Sequence, residues 1–294
     1  MKYYLDHNIY IFSLRTPDIE RIVQKLKKEK VRFVYSPAHI EEIYTAYTKD
    51  KIQYKEIGRK LLDQISNFTD NMEFLPSKNG IVLKEESPFE CYKRVRGTDT
   101  IETVKLDGKD KCQRGREYYQ QLIKNDKRNK SISNITYDKI WNENIIIDSI
   151  NEINEIMPLI VLCYNLENAI LGLDSVKTIP KDFQIQSGMY PQLKQKHSEL
   201  EFVIDILFYI LSLCGYNADK EEKKCVSGIH DVSHAIYATA ADKFFTFDKR
   251  FAKRCQAIYY FLGVETEVVA CDYKNFVEGL SIEQCTLADE SEVD

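Results

Sequence analysis

The sequence predicts an α/β fold built on a central parallel sheet. Short apolar strands alternate with amphipathic helices at the beginning of the chain, and the same alternation returns near its end. The long stretch between these two regions shows mainly helical patterns. A β-α-β-α order of this kind favours parallel strands joined by right-handed crossovers.

The first predicted strand covers Lys2 to Leu5 (KYYL), in which aromatic and branched residues lead up to the polar residue Asp6. The apolar start MKYYLDHNIYIFSL is interrupted by Asp6, His7 and Asn8, and no small-residue cleavage site follows. It therefore reads as a strand rather than as a signal peptide. Asp6 is expected at the carboxyl end of this strand, with His7 on the opposite strand face.

The next elements continue the alternation. Pro17 begins an amphipathic helix, and Arg32 to Tyr35 form the second strand. Ser36 and Pro37 are typical N-cap and first helical residues, and they open the helix SPAHIEEIYTAY. Met72 to Leu75 read as a short third strand.

The middle of the chain is predicted to be mainly helical. The predicted helices are Tyr137 to Asn151, Glu152 to Leu173 and Gln192 to Leu213. Gly97 to Gly115 and Lys124 to Ser133 are polar and charged enough to be loops.

The α/β pattern then returns. HDVSHAIYATAA reads as a helix that Asp231 begins, KFFTF as a strand, and Lys249 to Leu262 as a further helix. Val264 to Ala270 is predicted to complete the sheet. Residues 283–294 form an acidic tail without a hydrophobic period, for which we expect flexibility.

Composition excludes several classes of protein. The eight cysteines include no CxxC pair, so neither a zinc ribbon nor a redox motif is indicated, and reduced thiols in a cytoplasmic protein fit best. The longest apolar stretch, Phe202 to Tyr216, contains Asp205 and is shorter than the roughly 18 to 20 residues needed to cross a bilayer, so no membrane contact is expected. The net charge of −5 argues against a surface coated for nonspecific nucleic-acid binding.

Four acidic residues are expected to meet at one edge of the sheet. Ligands of open parallel sheets bind beyond the carboxyl ends of the strands. The residues that this rule gathers are Asp6, Glu42, Asp231 and Asp248.

The acidic cluster predicts a metal centre. Like charges a few ångströms apart raise each other's pKa, and a divalent cation relieves that repulsion. Carboxylate oxygens suit Mg²⁺ or Mn²⁺, and such ions activate water for phosphodiester hydrolysis. The sequence therefore predicts a nuclease site.

Three segments of the sequence resemble the PIN domain nucleases. LDHNIYI (Leu5 to Ile11) looks like the opening strand of that family, and SPAHIEEI (Ser36 to Ile43) resembles its second motif. DVSHAIYATAADKFFTFDKRF (Asp231 to Phe251) is similar to the third acid, the alanine-rich helix and the closing T-x-D-x-x-F. The resemblance covers residues 1–80 and 200–272.

The resemblance implies a three-layer α/β/α fold and a metal-dependent endoribonuclease. The metal-ligand acids carried across are Asp6, Glu42, Asp231 and Asp248, the last as a direct ligand or through water. Asn8 and Thr246 match accessory positions that orient ligands or water. Residues 81–199 are larger than a compact family member requires and are expected to form a mainly helical insertion, a lobe of its own.

Several residues admit other roles. Glu41 is adjacent to Glu42, but neighbours on a helix point about 100° apart, and Glu42 has the family spacing from Ser36. His230 and His234 lie four apart and leave zinc binding open. Asp242 is expected in a turn at the opposite end of its helix from Asp231.

The remaining alternatives concern substrate contacts. His234, Lys249 and Arg250 are candidate contacts to substrate, the last two through phosphate. The sequence does not choose between RNA and DNA, and a catalytically silent RNA- or protein-binding module is the alternative to a nuclease. A toxin with an antitoxin partner, a defence or a processing role, and self-association all remain open.

Overall fold

The computed structural model describes residues 1–47, 52–97, 135–141, 188, 190–213, 215–217 and 227–278. Within them, the strands are β1 (Lys2–Leu5), β2 (Arg32–Val34), β3 (Met72–Ser77), β4 (Gly80–Glu85), β5 (Lys243–Thr246) and β6 (Glu267–Ala270). β1, β2, β5 and β6 form one parallel sheet in the order β2-β1-β5-β6. The first and last regions of the chain therefore build one sheet, as predicted.

Helices pack around this sheet. They are α1 (His7–Ser13), α2 (Pro17–Lys28), α3 (Pro37–Tyr47), α4 (Ile52–Thr69), α5 (Pro88–Gly97), α6 (His197–Leu213), α7 (Ser227–Ala238), α8 (Lys249–Leu262) and α9 (Tyr273–Glu278). A 3₁₀ turn, Pro191–Gln195, precedes α6. Proline stands at the first position of α2 and of α3, where its missing N–H costs no helical hydrogen bond.

Side chains of the sheet alternate between two hydrophobic cores. Tyr4 and Phe244 face a core that α6, α7 and α8 complete, whereas Leu5 and Phe245 face a second core with α1, α2 and α4. Both faces of the sheet are therefore covered by helices, as parallel sheets require. This arrangement confirms the predicted α/β class with a central parallel sheet.

β1 ends at Leu5 as predicted, and the segment after Asp6 is a helix that the sequence prediction did not include. Asp6 adopts an extended backbone conformation, and α1 begins at His7. Ile9 and Tyr10 of α1 are fully buried in the second core. This burial fixes the helix in a segment whose isoleucine and tyrosine content favours a strand.

The predicted third strand belongs to a hairpin outside the parallel sheet. β3 pairs with β4 in an antiparallel ladder, and β4 was absent from the sequence prediction. The turn ends at Gly80, which has a positive φ of 99°. A single parallel bridge between Tyr35 and Glu73 joins the hairpin to the end of β2.

Some predicted boundaries differ from the observed ones. α7 begins at Ser227, so Asp231 lies one turn inside it, not at its start. α6 begins at His197, after the 3₁₀ turn, and β6 begins at Glu267.

Much of the predicted helical insertion lies outside the described residues. This applies to the helix Glu152 to Leu173, to the greater part of Tyr137 to Asn151 and, apart from Gly97, to the two charged loops. The acidic tail, which is separate from the insertion, also lies outside the described residues. Residues 137–141 of the insertion are described, and they form turns.

Two described pieces of the insertion pack against α8. The indole N–H of Trp141 donates to the Ala257 carbonyl at 2.7 Å, and the Gly188 N–H donates to the Phe261 carbonyl at 2.7 Å. Both contacts lie toward the C-terminal end of α8. No helix among the described residues is long and apolar enough to span a bilayer.

Candidate active site

Asp6 lies at the carboxyl edge of the sheet, directly after β1. Its backbone N–H donates to the Phe245 carbonyl at 2.8 Å, which continues the pairing of β1 with β5 by one residue. The side chain is only 5% exposed. A carboxylate this deeply buried needs hydrogen bonds or a cation to remain ionised.

The two predicted accessory residues contact Asp6. The hydroxyl of Thr246 donates to Asp6 Oδ2 at 2.7 Å, and the amide of Asn8 donates to the same atom at 3.4 Å. The His7 backbone N–H also donates to the Asp6 carboxylate. Thr246 in turn accepts from the Asp248 N–H at 3.0 Å, so it connects two of the predicted acids.

Glu42 extends from α3 toward the site. Its Oε1 lies 2.7 Å from His234 Nε2 on α7, and its side chain is 25% exposed. Glu41 interacts with α6 instead. Burial raises the pKa of Glu41, and among the neighbouring carboxylates Glu201 on α6 adds most to this rise. The structure therefore places Glu42, rather than Glu41, beside the other acids.

Asp231 contributes the third carboxylate from α7. Burial raises its pKa, and the charges of Asp6, Glu42 and Asp248 raise it further. The guanidinium of Arg254 on α8 acts in the opposite direction and lowers the pKa of Asp231. Arg254 also donates to the Phe208 carbonyl at 3.1 Å and to Ser212 Oγ at 2.9 Å, which anchor it to α6.

Asp248 has a structural role in addition to its charge. It is the N-cap of α8, and its Oδ1 accepts from the Arg250 N–H at 2.9 Å and from the Phe251 N–H at 3.0 Å. These bonds satisfy two free donors of the first turn. Asp248, Lys249 and Arg250 are all exposed. Lys249 and Arg250 thus lie in the exposed first turn of α8, directly after Asp248.

The charge of a neighbouring carboxylate affects the ionisation of Asp6. The pKa of Asp6 is raised from 3.8 to about 7, chiefly by burial and then by the charge of Glu42. The hydrogen bonds from Thr246, His7 and Asn8 oppose this rise only in part. Residues from three separate parts of the chain are therefore close enough to affect one another's ionisation.

Four histidines surround Glu42, and burial keeps them neutral. It lowers the pKa of His7 to about 4 and the pKa of His39 and His234 to about 3, and it also lowers the pKa of His230. The charge of Glu42 acts in the opposite direction on His7, His39 and His230. Nδ1 of His7 and Nδ1 of His230 have no hydrogen-bond partner.

His234 is not placed to contact substrate, contrary to the sequence prediction. It is 1% exposed, and both ring nitrogens take part in hydrogen bonds, one to Glu42 and the other to the Tyr4 hydroxyl at 2.7 Å. The same bonds leave neither nitrogen available for zinc. His234 acts instead as a bridge between the sheet and Glu42.

The donor set suits a hard divalent cation in chemistry, although it is not assembled as a ligand group. Carboxylate oxygens are the ligands that Mg²⁺ and Mn²⁺ prefer, and a cation would relieve the repulsion that raises the pKa of Asp6 and of Asp231. In the part of the chain that the structure describes, no three His, Cys, Asp or Glu side chains are arranged to hold a metal ion. Movement of at least one carboxylate would be needed to complete such a site.

Comparison with known proteins identifies no relative. No family model, curated protein or solved structure matches the chain. The PIN resemblance therefore depends on the sequence motifs alone.

Sequence reasoning did not assign Tyr4 and His39 to the site. Tyr4 Oη lies 2.6 Å from Ser36 Oγ, and His39 Nδ1 accepts from the Ser36 N–H at 3.1 Å. His39 thus fills the place that Glu or Gln takes in a capping box, three residues after the N-cap. The SxxH spacing was a local signal for this contact, whereas Tyr4 is indistinguishable from a core residue in the sequence.

Proposed function

We propose that the chain is a metal-dependent nuclease with a PIN-like core that hydrolyses phosphodiester bonds in RNA. The observation that supports this most is the coupling of Asp6, Glu42 and Asp231 at the carboxyl edge of a parallel sheet, where ligands of such sheets bind. Carboxylates whose pKa values are raised by burial and by neighbouring charges cluster at functional sites. Here the raised pKa values mark a position at which positive charge stabilises the fold.

Each acid has a distinct part in this proposal. Asp6, Glu42 and Asp231 would hold Mg²⁺ or Mn²⁺, and Asp248 would contribute directly or through water. Bound there, the cation would act as a Lewis acid that activates water and offsets charge on the leaving oxygen. Thr246 keeps the Asp6 carboxylate in place through its hydrogen bond to Oδ2.

The surroundings of the acids fit an anionic polymer as substrate. Lys249 and Arg250 are exposed and follow Asp248 directly, and basic side chains are the usual contacts to phosphate, so we assign them to the substrate backbone. RNA is the substrate class that the PIN resemblance implies. The same chemistry would serve on DNA, so the test needs both substrates.

One observation favours a second candidate, a catalytically silent binding module. Glu42 is hydrogen-bonded to His234, and Asp248 caps α8, so two of the four acids have structural partners without any cation. A core that had lost its metal would retain such bonds. Direct measurement of metal binding separates the two candidates.

The test uses the full chain with Mn²⁺ or Mg²⁺ and single-stranded RNA, single-stranded DNA and duplex DNA, each with and without EDTA. Asp6→Asn and Asp231→Asn are compared with Asp63→Asn, which changes an exposed aspartate on α4. Removing the residues around a metal ligand commonly costs 10- to 100-fold, so losing a ligand should cost about 100-fold or more. Asp63→Asn should cut like the parent.

The outcomes distinguish the candidates. EDTA-sensitive cleavage that both site variants lose supports the nuclease, and cleavage of DNA alone changes the substrate. Undiminished cleavage by Asp6→Asn and Asp231→Asn would show that the assigned site is wrong. Calorimetry that finds no Mn²⁺ binding, together with no cleavage, favours the silent module.

A further inference from the structure

A chain of hydrogen bonds connects the sheet to Glu42 through the protein interior. Ser36 Oγ lies 2.6 Å from Tyr4 Oη, Tyr4 Oη lies 2.7 Å from His234 Nδ1, and His234 Nε2 lies 2.7 Å from Glu42 Oε1. Ser36 and Tyr4 are fully buried, and His234 is 1% exposed. Only the last member of the chain, Glu42, reaches solvent.

The donor and acceptor of each hydrogen bond in this series follow from the Glu42 carboxylate at its end. A carboxylate can only accept hydrogen bonds, so His234 must donate from Nε2 to Glu42. The neutral imidazole then accepts at Nδ1, and the Tyr4 hydroxyl is the donor to it. Because that hydroxyl has one proton, it accepts in turn from Ser36.

A second histidine attaches the same helix to the same strand. His39 accepts from the Ser36 N–H at Nδ1, so its Nε2 carries the proton and donates to the Leu5 carbonyl at 2.8 Å. Leu5 directly precedes Asp6. α3 is therefore held to β1 at its first turn by His39, while Tyr4 and His234 hold Glu42 one turn further along.

An alternative is that Tyr4 and His234 only satisfy each other as buried polar groups. That reading does not explain why the chain ends on an acid that raises the pKa of Asp6. It also leaves unexplained why the bond uses one oxygen only, since no described residue donates to Glu42 Oε2. Within the described residues, Oε1 of Glu42 is hydrogen-bonded and Oε2 accepts no hydrogen bond.

We propose that Tyr4 and His234 are positioning residues that hold the Glu42 carboxylate in place as one ligand of the proposed divalent cation. This inference rests on the proposed function for its purpose, although the hydrogen-bond chain itself does not. Partners of ligand side chains orient those ligands, and their loss commonly weakens metal binding 10- to 100-fold. Residues in the interior thus set the geometry of an acid at the surface.

Substitutions at 234 separate hydrogen bonding from packing. His234→Leu removes the donor to Glu42 and keeps a side chain of similar bulk, whereas His234→Gln supplies an amide N–H in its place. Tyr4→Phe removes a single oxygen and tests the middle of the chain with little risk to the core. The matched control is His197→Leu on α6, which breaks another buried histidine–glutamate contact, 3.1 Å to Glu201, without touching the acidic cluster.

Two readouts decide the proposal. Calorimetry with Mn²⁺ should show binding weakened about 10-fold or more in His234→Leu and less in His234→Gln, with His197→Leu like the parent. Nitrogen NMR of the metal-free protein should show His234 with its proton on Nε2 and a resonance for Nδ1 that shifts in Tyr4→Phe. Thermal unfolding of each variant confirms that it is folded.

The two hypotheses fail in different ways. If the unmodified protein binds no Mn²⁺, the proposed function is contradicted, and so is the role of the hydrogen-bond chain in positioning a metal ligand. Full Mn²⁺ affinity in a folded His234→Leu overturns the positioning role while leaving the nuclease intact. A proton on Nδ1 of His234 would refute the hydrogen-bond chain whatever the protein cleaves.

Discussion

Replacing Asp6 with asparagine should stabilise the metal-free protein at neutral and alkaline pH. The pKa of Asp6 is about 7 in the folded state and 3.8 as its ordinary value. The folded protein therefore binds the proton more tightly than the unfolded chain does, and stability falls as pH rises from about 4 to 7. Above that range an ionised Asp6 remains in the fold at a cost in free energy.

The magnitude follows from the shift. A difference of about 3 pKa units at about 1.4 kcal/mol each corresponds to about 4 kcal/mol of lost stability at about pH 8. Asparagine carries no charge, but its amide cannot accept every hydrogen bond that reaches Asp6, which costs about 1 kcal/mol. The net gain should be about 3 kcal/mol at about pH 8, falling to within about 1 kcal/mol of the parent at about pH 5.

Urea unfolding in EDTA at these two pH values measures the gain. The quantity to compare is the difference between variant and parent, because the buried histidines change stability in the opposite direction. Burial lowers the pKa of His7 to about 4, so its contribution to stability is present above the ordinary value of 6.5 and is lost as pH falls. That contribution is shared by both proteins and cancels in the difference.

Asp63→Asn is the control, because it makes the same change on an exposed helix surface and should alter stability by less than about 0.5 kcal/mol at either pH. A destabilised Asp6→Asn at about pH 8, or an equal difference at both pH values, would refute the reasoning. Stabilisation with simultaneous loss of cleavage would instead show that the acid is kept for function at the expense of stability.

Two further predictions concern the scaffold. Arg94→Met should lower the free energy of unfolding in urea by about 2 to 3 kcal/mol, because the fully buried Glu73 would lose its ion pair with Arg94 at 2.7 Å. Solvent reaches the 40% exposed Arg94 side chain and keeps this cost moderate. Lys93 is exposed, so the control Lys93→Met should cost less than about 0.5 kcal/mol. An equal cost for both would show that burial of Glu73 is unimportant. Gly263→Ala should cost about 1 to 2 kcal/mol for its φ of 72°, and more because the added Cβ would lie 2.6 Å from the Gly188 carbonyl oxygen. Gly215 has a φ of 69° and no described atom within 4 Å of an added Cβ, so Gly215→Ala should cost only the backbone part. Thermal unfolding of the two variants measures the difference, and equal costs would contradict the close contact at Gly263.

The sheet was predictable because its strands carry strong local signals. KYYL and KFFTF are dense in aromatic residues and each is followed directly by an aspartate, and the rule for parallel sheets then placed Asp6 and Asp248 at one edge. Thr246 was added by the resemblance to the PIN nucleases. The structure puts Thr246 Oγ1 2.7 Å from Asp6 Oδ2. Pattern, topology and that resemblance together were sufficient for this part of the site.

The elements that were missed depend on contacts distant in sequence or on a turn signal that was overlooked. α1 has the composition of a strand, and burial of Ile9 and Tyr10 against the sheet decides its form. β4 had a local signal, because Asn79 and Gly80 form a dipeptide typical of hairpin turns. Gly80 is also required sterically, since a Cβ there would lie 2.0 Å from the Lys194 carbonyl oxygen.

The hydrogen-bond partners of His234 could not be predicted from the local sequence. Its spacing from His230 suggested a shared function on one helix face, yet its partners are Tyr4 and Glu42, which come from the other end of the chain. Glu42 is 192 residues away from it. Hydrogen bonds of this kind follow from the fold and leave no trace in a single sequence.

The position of β1 between β2 and β5 also determines when its two edges can be paired during translation. β1 is made first, but one of its two neighbours, β5, follows so late that Thr246 is separated from Asp6 by 240 residues. At about 5 to 20 residues per second, the ribosome needs on the order of tens of seconds to deliver it. Until β5 is made, the edge of β1 that β5 covers in the folded protein is unpaired, and Asp248, which follows β5, is absent. Any activity that needs all four acids therefore waits for the segment that contains β5.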